Sequence, residues 1–419
     1  MKAESARQAP QVNLALFALA MGGFAIGTTE FGTMGLLPYF SASLGMSAPQ
    51  AGHVISAYAL GVVVGAPVLA LMAAHLPRRD VLVGLMLVYA LGNGLTAFAP
   101  SPGWMLVFRF IAGLPHGAYF GVAVLVAASL VPPEKRAQAM SRVLAGLTVA
   151  TMFGVPLANF IGQTVGWRWA FGLVALLPLI TAALVQTLAP RQKLHGGDAP
   201  SPLAELAALG RRQVWLALGM GAIGFGGMFA VYTYLASTLL LVTHASPDMV
   251  PVMLALLGTG FTVGNLLSAW CADRALMPTV AGVLIWSIAC LCLYPFMIHS
   301  LWTMGAIVLL IGGIGGLGTP LQARLMQVAE GAQTLAAALN HSAFNVANAL
   351  GPWLAGLAIA AGFGWGAAGW VGAGLAAGGL ALWAVAVLDE RRQLRGRLAS
   401  PEHPAQRFQE HRAMADVEA

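Results

Sequence analysis

The sequence predicts an all-α membrane protein of twelve transmembrane helices, arranged as two six-helix bundles related by a pseudo-twofold axis, with both termini cytoplasmic. Three observations carry that reading. Apolar stretches long enough to cross a bilayer recur twelve times, basic residues cluster on alternate connections, and small residues repeat at a fixed offset between the two halves.

Of the 419 residues, 58% are hydrophobic and 9% charged, and mean hydropathy is +0.78. Soluble domains carry about 25% charged residues. The apolar stretches cover residues 12–37, 48–73, 81–99, 103–131, 139–162 and 167–189, then 213–241, 249–271, 278–298, 301–326, 334–361 and 365–388. Hydrocarbon offers no water to backbone N–H and C=O groups, so stretches of this length predict helices; barrel strands would be about 10 residues long and alternate in polarity. The basic N-terminus before an apolar run has the outline of a secretory leader. The run is too long, contains Glu30 and lacks a clear small-x-small cleavage site, so it is read as a retained first span.

With the N-terminus cytoplasmic, the even-numbered connections and both tails should hold the basic residues. They hold 19 of the 21 Lys and Arg, with only Arg109 and Arg168 elsewhere. The sequence pI near 9.5 is thus a topological bias and implies no nucleic-acid partner; the basic tail can also touch anionic lipid. Cys271, Cys290 and Cys292 are too few and too embedded for a disulfide framework and are read as packing residues.

Residues 190–212 form the long internal break, with Gly196, Gly197, Pro200 and Pro202 and basic residues at both ends. They are expected to form a cytoplasmic linker between bundles at 1–189 and 213–388, followed by a tail at 389–419. An offset of 197 to 199 residues places Gly61 and Gly65 on Gly260 and Gly264, Gly113 and Gly117 on Gly312 and Gly316, and Gly154 on Gly351. Each of these glycines allows close helix approach, in a rocking pair of bundles or in any tight one. The same offset puts Glu30 on Phe229 and Arg109 on Val308, so these charges belong to the first half alone.

Glu30 is the one carboxylate well inside an apolar stretch. An ionised group at such depth costs at least about 3 kcal/mol, so it is expected to be protonated, paired or facing a wet cavity. Glu30 lies about 8 residues, or roughly 12 Å, from the outer end of the first span, and Arg109 about 6 residues, or roughly 9 Å, from the outer end of the fourth. A contact between them, direct or through water, is the expectation. Desolvation and a nearby cation pull a carboxyl group in opposite directions, which would make the pair a proton switch. His116, seven residues after Arg109 and on the same helical face, either extends a relay or binds substrate, or else donates to a backbone carbonyl in a tight helix pair. His341, Asn345 and Asn348 form a polar stripe at i, i+4 and i+7, read as interhelical hydrogen bonds in preference to substrate contacts. Phe225, Phe229, Tyr232 and Tyr234 offer aromatic walls to a flat or amphipathic solute, or simply pack.

The segments AIGTTEFGTMGLLP (25–38), AGHVISAYALGVVVGAP (51–67), RFIAGLPHGAYFGV (109–122), GLTVATMFGVPLANFIGQTVGWRWAF (146–171) and AFNVANALGPWLAG (343–356) resemble the arabinose-efflux-type permeases of the major facilitator superfamily. These belong to its branch of twelve-helix drug:proton antiporters, which includes sugar, chloramphenicol and purine-ribonucleoside exporters. The resemblance implies that Glu30 is the first-helix acidic residue of the TEF motif, and that Arg109 and Gly113 belong to the fourth-helix motif linked to proton coupling. Gly154, Pro156 and Gly162 match the fifth-helix antiporter motif, with Asn159 where a Gly is common. The Gly-x-x-x-Asp-Arg pattern usual after the second helix is replaced at 74–79, and Asp-Arg survives as Asp273 and Arg274, read either as a relocated gate contact or as two solvated charges.

Together these readings imply a proton-coupled efflux antiporter in the cell inner membrane. It would be a monomer without a cofactor, binding a small organic solute and protons within the bilayer. A uniporter in which Glu30 only orients substrate, and a membrane sensor in a transporter-like fold, are the alternatives, the short tail counting against the sensor. There is no P-loop, no HExxH and no set of nucleophile, base and acid, so an enzyme is not expected.

Overall fold

The computed structural model describes residues 2–73, 76–132, 135–191, 208–329 and 333–399. Twelve helices in it are long and apolar enough to cross a membrane. The first six are α1 (Gln11–Gly35), α2 (Ala48–Leu69), α3 (Arg78–Ala97), α4 (Pro102–Ser129), α5 (Gln138–Thr164) and α6 (Trp167–Leu188). The second six are α7 (Arg212–Leu241), α8 (Met249–Ala272), α9 (Leu276–Met297), α10 (Leu301–Val328), α11 (Leu339–Ala360) and α12 (Ala367–Gln393). An even number of crossings puts both ends of the bundle on one face, called here the terminal face.

Two ends run past the sequence expectation. The helix of α1 continues back to Lys2, and that of α12 continues to Ala399, into the segment expected to be tail. Nothing in Asp389–Arg395 breaks a helix, since Pro and Gly are absent there and Leu, Arg, Glu and Gln are good helix formers. The central part of the expected linker, 192–207, and the tail from 400 onward lie outside the described residues, as do Ala74 and His75 of the loop between α2 and α3.

The repeat seen as glycine spacing is a repeat of crossings. A Cβ on Gly61 would run into the carbonyl oxygen of Phe110 and sit 3.1 Å from the Gly113 Cα, where α2 crosses α4. A Cβ on Gly260 would meet the carbonyl of Leu309 and the Gly312 Cα at 3.0 Å, where α8 crosses α10. Gly351 abuts Gly226 on α7 as Gly154 abuts Thr28 on α1. Lipid is as apolar as leucine, so close backbone contact of this kind is what holds membrane helices together.

Local breaks shape the inward faces. Pro156 cannot donate to the carbonyl of Met152 and its ring crowds that oxygen, and the turn before it widens into a π-helix over Ala150–Gly154. In α10 the run Gly313–Leu317 tightens to a 3-10 turn, and α7 is interrupted at Phe225. Several pairs of helices join the halves, three of them through close packing. In α1 and α7 the Phe31 ring stacks on Tyr232; in α2 and α11 the Ser56 hydroxyl donates to the Ala349 carbonyl at 2.9 Å; in α5 and α8 Gly258 lies against the Thr151 carbonyl. Large aromatics at helix ends, among them Phe98, Trp302 and Phe363, are exposed, as expected for side chains at the membrane boundary.

Candidate functional site

On α1 the hydroxyls of Thr28, Thr29 and Thr33 turn back onto the carbonyls of Phe24, Ala25 and Thr29, at 2.7, 2.9 and 2.7 Å. Their hydrogen-bonding capacity is largely used within the helix, which leaves Glu30 as the group on this turn with unspent polarity. Glu30 is 6% exposed, and its Oε1 accepts a hydrogen bond from Asn348 Nδ2 of α11 at 3.0 Å. This bond crosses from the first half to the second.

The direct Glu30–Arg109 contact expected from their matching depths is not formed, since no ion pair within 4 Å joins them. Arg109 is fully buried and turned toward its own half. Its Nη1 donates to Asn93 Oδ1 of α3 at 3.1 Å, and its guanidinium carbon lies 4.3 Å from the centroid of the Tyr58 ring and 5.6 Å from that of Phe171. Asn93 is itself held by donating to the Tyr89 carbonyl at 2.8 Å. An amide and two rings thus take the place of a carboxylate as the partners of Arg109.

His116 does not use a backbone carbonyl. Its Nδ1 lies 3.0 Å from the Tyr58 hydroxyl, which in turn lies 2.9 Å from that of Tyr89, and its ring faces His341 of α11 at 6.3 Å between centroids. Tyr58, Tyr89 and Asn93 were not singled out from the sequence. Tyr89 and Asn93 stand one turn apart in an apolar span, the same kind of signal that drew attention to α11, but phenols in membrane spans are common enough to pass unnoticed.

Of the α11 stripe, Asn348 makes the interhelical bond expected of it, whereas Asn345 Nδ2 donates to the His341 carbonyl of its own helix at 3.0 Å. The side-chain oxygens of both asparagines are buried without a partner, as is the Tyr232 hydroxyl. The aromatic residues of α7 do converge. Phe31 stacks on Tyr232 at 5.7 Å and on Phe229 at 6.3 Å, and Phe225 lies 4.8 Å from Phe344 of α11, all centroid to centroid. Tyr234 is set apart, donating to the Pro352 carbonyl at 2.9 Å.

The positions expected at gates are arranged differently. Gly154 packs on Thr28 and Phe24 of α1, inside the first half, and the contact with α8 is made by the neighbouring Thr151 carbonyl on the widened turn that precedes Pro156. Asn159 keeps α5 close to α1 in spite of its size by donating to the Gly32 carbonyl at 3.2 Å. Asp273 and Arg274 are exposed at the end of α8, where Arg274 lies over the ring of Trp270 at 3.6 Å and donates to its carbonyl. The nearby ring and carbonyl on α8 take up the Arg274 guanidinium. Among the described residues no group of three or more His, Cys, Asp or Glu is placed to hold a metal ion.

The sequence profile of the Major Facilitator Superfamily matches residues 19–280 and, again, 232–415. "Inner membrane transport protein YdhP" of Escherichia coli (strain K12) is 42% identical over 357 residues, 85% of this chain and 91% of that protein. "Chloramphenicol resistance protein" of Streptomyces lividans is 34% identical over 82% of this chain and 88% of its own length. The crystal structure of the D323A mutant of the nucleoside transporter NupG superposes with a TM-score of 0.71 at 13% identity, covering 90% of this chain and 99% of that one, a likeness of fold. Twelve spanning helices, a duplicated set of crossings and this match along nearly the whole chain establish that the protein belongs to the Major Facilitator Superfamily, as a transporter and not an enzyme.

Proposed function

We propose that this chain exports a small organic solute, such as a sugar, a nucleoside or a drug, in exchange for protons by alternating access. The observation that carries the proposal is the bond between Glu30 and Asn348: a carboxyl group buried in the bilayer, without a contacting cation, held by the opposite half. A carboxylate left so is expensive, whereas a protonated carboxyl is not, so the charge on Glu30 is tied to whether the halves close around it.

The positive-inside charge map supports cytoplasmic termini, and the name of the E. coli relative supports the inner membrane. Contacts at Pro49–Gly356, Gly52–Tyr234 and Gly35–Leu254 hold the halves together away from the terminal face. Phe24, His341 and Phe344, nearer that face, are only half-buried. The arrangement supports a site shut on the outer side that opens next toward the cytoplasm. The converging faces of Phe31, Phe225, Phe229 and Tyr232 suit a solute with a flat or amphipathic part, and the unpartnered oxygens of Asn345 and Asn348 would accept from its N–H or O–H groups. The chain is proposed to act as a monomer and without a cofactor.

The test is a screen of chloramphenicol, arabinose and inosine on purified protein by thermal shift, followed by proton release on binding and by transport in proteoliposomes. Antiport requires that a bound solute release protons and that Glu30→Gln abolish gradient-driven transport while leaving exchange. Transport without proton release in the wild type would make the protein a uniporter in which Glu30 only orients the solute.

A further inference from the structure

Three of the buried polar side chains left over once Glu30, Asn348 and Arg109 have been assigned form a hydrogen-bonded chain. Tyr58 of α2, Tyr89 of α3 and His116 of α4 are 1%, 0% and 2% exposed. Tyr89 Oη lies 2.9 Å from Tyr58 Oη, and Tyr58 Oη lies 3.0 Å from His116 Nδ1. At one end the Tyr89 hydroxyl reaches α1, donating to the Ile26 carbonyl at 3.3 Å, one helical turn before Glu30. At the other end the His116 ring faces that of His341, half-buried and on the opposite half of the molecule.

This chain has two proton arrangements with nearly the same geometry. In one, His116 Nδ1–H donates to Tyr58, Tyr58 to Tyr89, and Tyr89 to the Ile26 carbonyl. In the other, Tyr89 donates to Tyr58 and Tyr58 to His116 Nδ1, with the imidazole proton on Nε2. Phenols both donate and accept, and an imidazole can be protonated on either nitrogen, so a proton entering one end can leave from the other. A purely structural role would need only one of these arrangements and would be served as well by apolar packing. The second half does use apolar packing there: the offset of 199 places Leu257, Ile288 and Gly315 at these three positions.

We propose that Tyr89, Tyr58 and His116 are a proton relay between Glu30 and His341, joined across the halves only while α4 and α11 are in contact. The proposal rests on the proton-coupling role of Glu30 given above. A proton leaving the Glu30 carboxyl crosses the one helical turn to the Tyr89 oxygen through an intervening water, as the Tyr89 proton passes to Tyr58 and the Tyr58 proton to His116 Nδ1. The resulting imidazolium releases its Nε2 proton toward His341 and the solvent beyond. One proton has then moved, Glu30 remains as a carboxylate, and rotation of the two hydroxyls together with return of the His116 proton from Nδ1 to Nε2 by tautomer exchange resets the chain. The charged and titratable groups facing the relay are Glu30 from α1, Arg109 over the Tyr58 ring and Tyr119 from α4, and His341 from α11. Tyr119 is already committed, its hydroxyl donating to the Leu19 carbonyl at 2.8 Å.

No transported solute is needed to test this. The full-length protein in liposomes is followed by time-resolved infrared difference spectroscopy after a photolytic pH jump, with the Glu30 carboxyl band assigned by its loss in Glu30→Gln. Tyr58→Phe and Tyr89→Phe each keep the ring, and in Tyr58→Phe the ring beneath Arg109, while removing a hydroxyl. The relay requires that both variants keep the amplitude of the band and slow its appearance by about tenfold or more, and that the double variant be no slower than the slower single one. Band kinetics unchanged in both Phe variants would overturn the relay and leave Glu30 as the coupling group. A wild-type protein with no carboxyl band that Glu30→Gln removes would overturn the proton-coupling reading and the relay with it.

Discussion

Where α2 crosses α4 the Gly61 and Gly113 backbones touch, and where α8 crosses α10 Gly260 and Gly312 do the same. Around these matched crossings the side chains differ completely. The first half carries Glu30, Tyr58, Tyr89, Asn93, Arg109 and His116, all buried. The second half, at the offset of 199, carries Phe229, Leu257, Ile288, Cys292, Val308 and Gly315. It contributes instead aromatic faces, the stripe on α11 and, at the terminal face, an ionic cluster in which Arg324 donates to both Glu390 oxygens, at 3.1 and 2.8 Å, and to Gln213 at 3.2 Å. Duplicated backbone geometry is what lets two bundles rock against each other. The buried carboxyl, guanidinium and phenol chain concentrated in one of them gives the moving parts a fixed reference.

Five substitutions would break or sharpen this contrast. The largest effect is expected from Glu30→Gln, which removes the titratable group and should lower gradient-driven transport in proteoliposomes by about 100-fold or more, with solute exchange preserved. Next, Gly61→Val and Gly260→Val each drive a side chain into a neighbouring backbone carbonyl, and both should lose about 3 kcal/mol, read as matched drops in detergent thermal stability. A large drop in only one of the two would break the equivalence of the scaffolds. Asn348→Ala deletes the bond that joins the two kinds of half, worth about 1.5–3 kcal/mol, and should lower coupled transport about tenfold in the same vesicles. The smallest functional effect belongs to Arg324→Ala. It should cost about 1–3 kcal/mol in thermal stability, because the guanidinium is nearly buried, yet leave transport per folded molecule at the wild-type level. A transport defect there would move chemistry into the second half and end the contrast.

Much of the architecture was legible beforehand because the bilayer restricts the options. Each expected apolar stretch has its helix, and the glycine offset marks real crossings. The departures are local. The helix ends run on to 2 and 399, and at the C-terminal end Asp389–Arg395 holds no Pro or Gly to stop the helix at the hydrocarbon boundary. Of the site, Glu30 stood out by hydropathy alone, but matching depth in the membrane suggested Arg109 as its contact where the structure provides Asn348. Depth fixes one coordinate of a side chain. It does not fix the direction in which a helix turns, and Arg109 is turned by Asn93, Tyr58 and Phe171 toward its own bundle.

The sequence by itself determined twelve spans, their pairing into two repeats, and the presence of one carboxyl group deep in the first of them. Backbone hydrogen bonding in hydrocarbon and the spacing of glycines impose these along the chain. Only the tertiary structure decided which side chains meet: Glu30 with Asn348, Tyr89 with Tyr58 and His116, and His116 with His341. Each of these contacts joins residues from different helices, and helix rotation and crossing, set by packing across the whole bundle, leave no periodic mark in any one span.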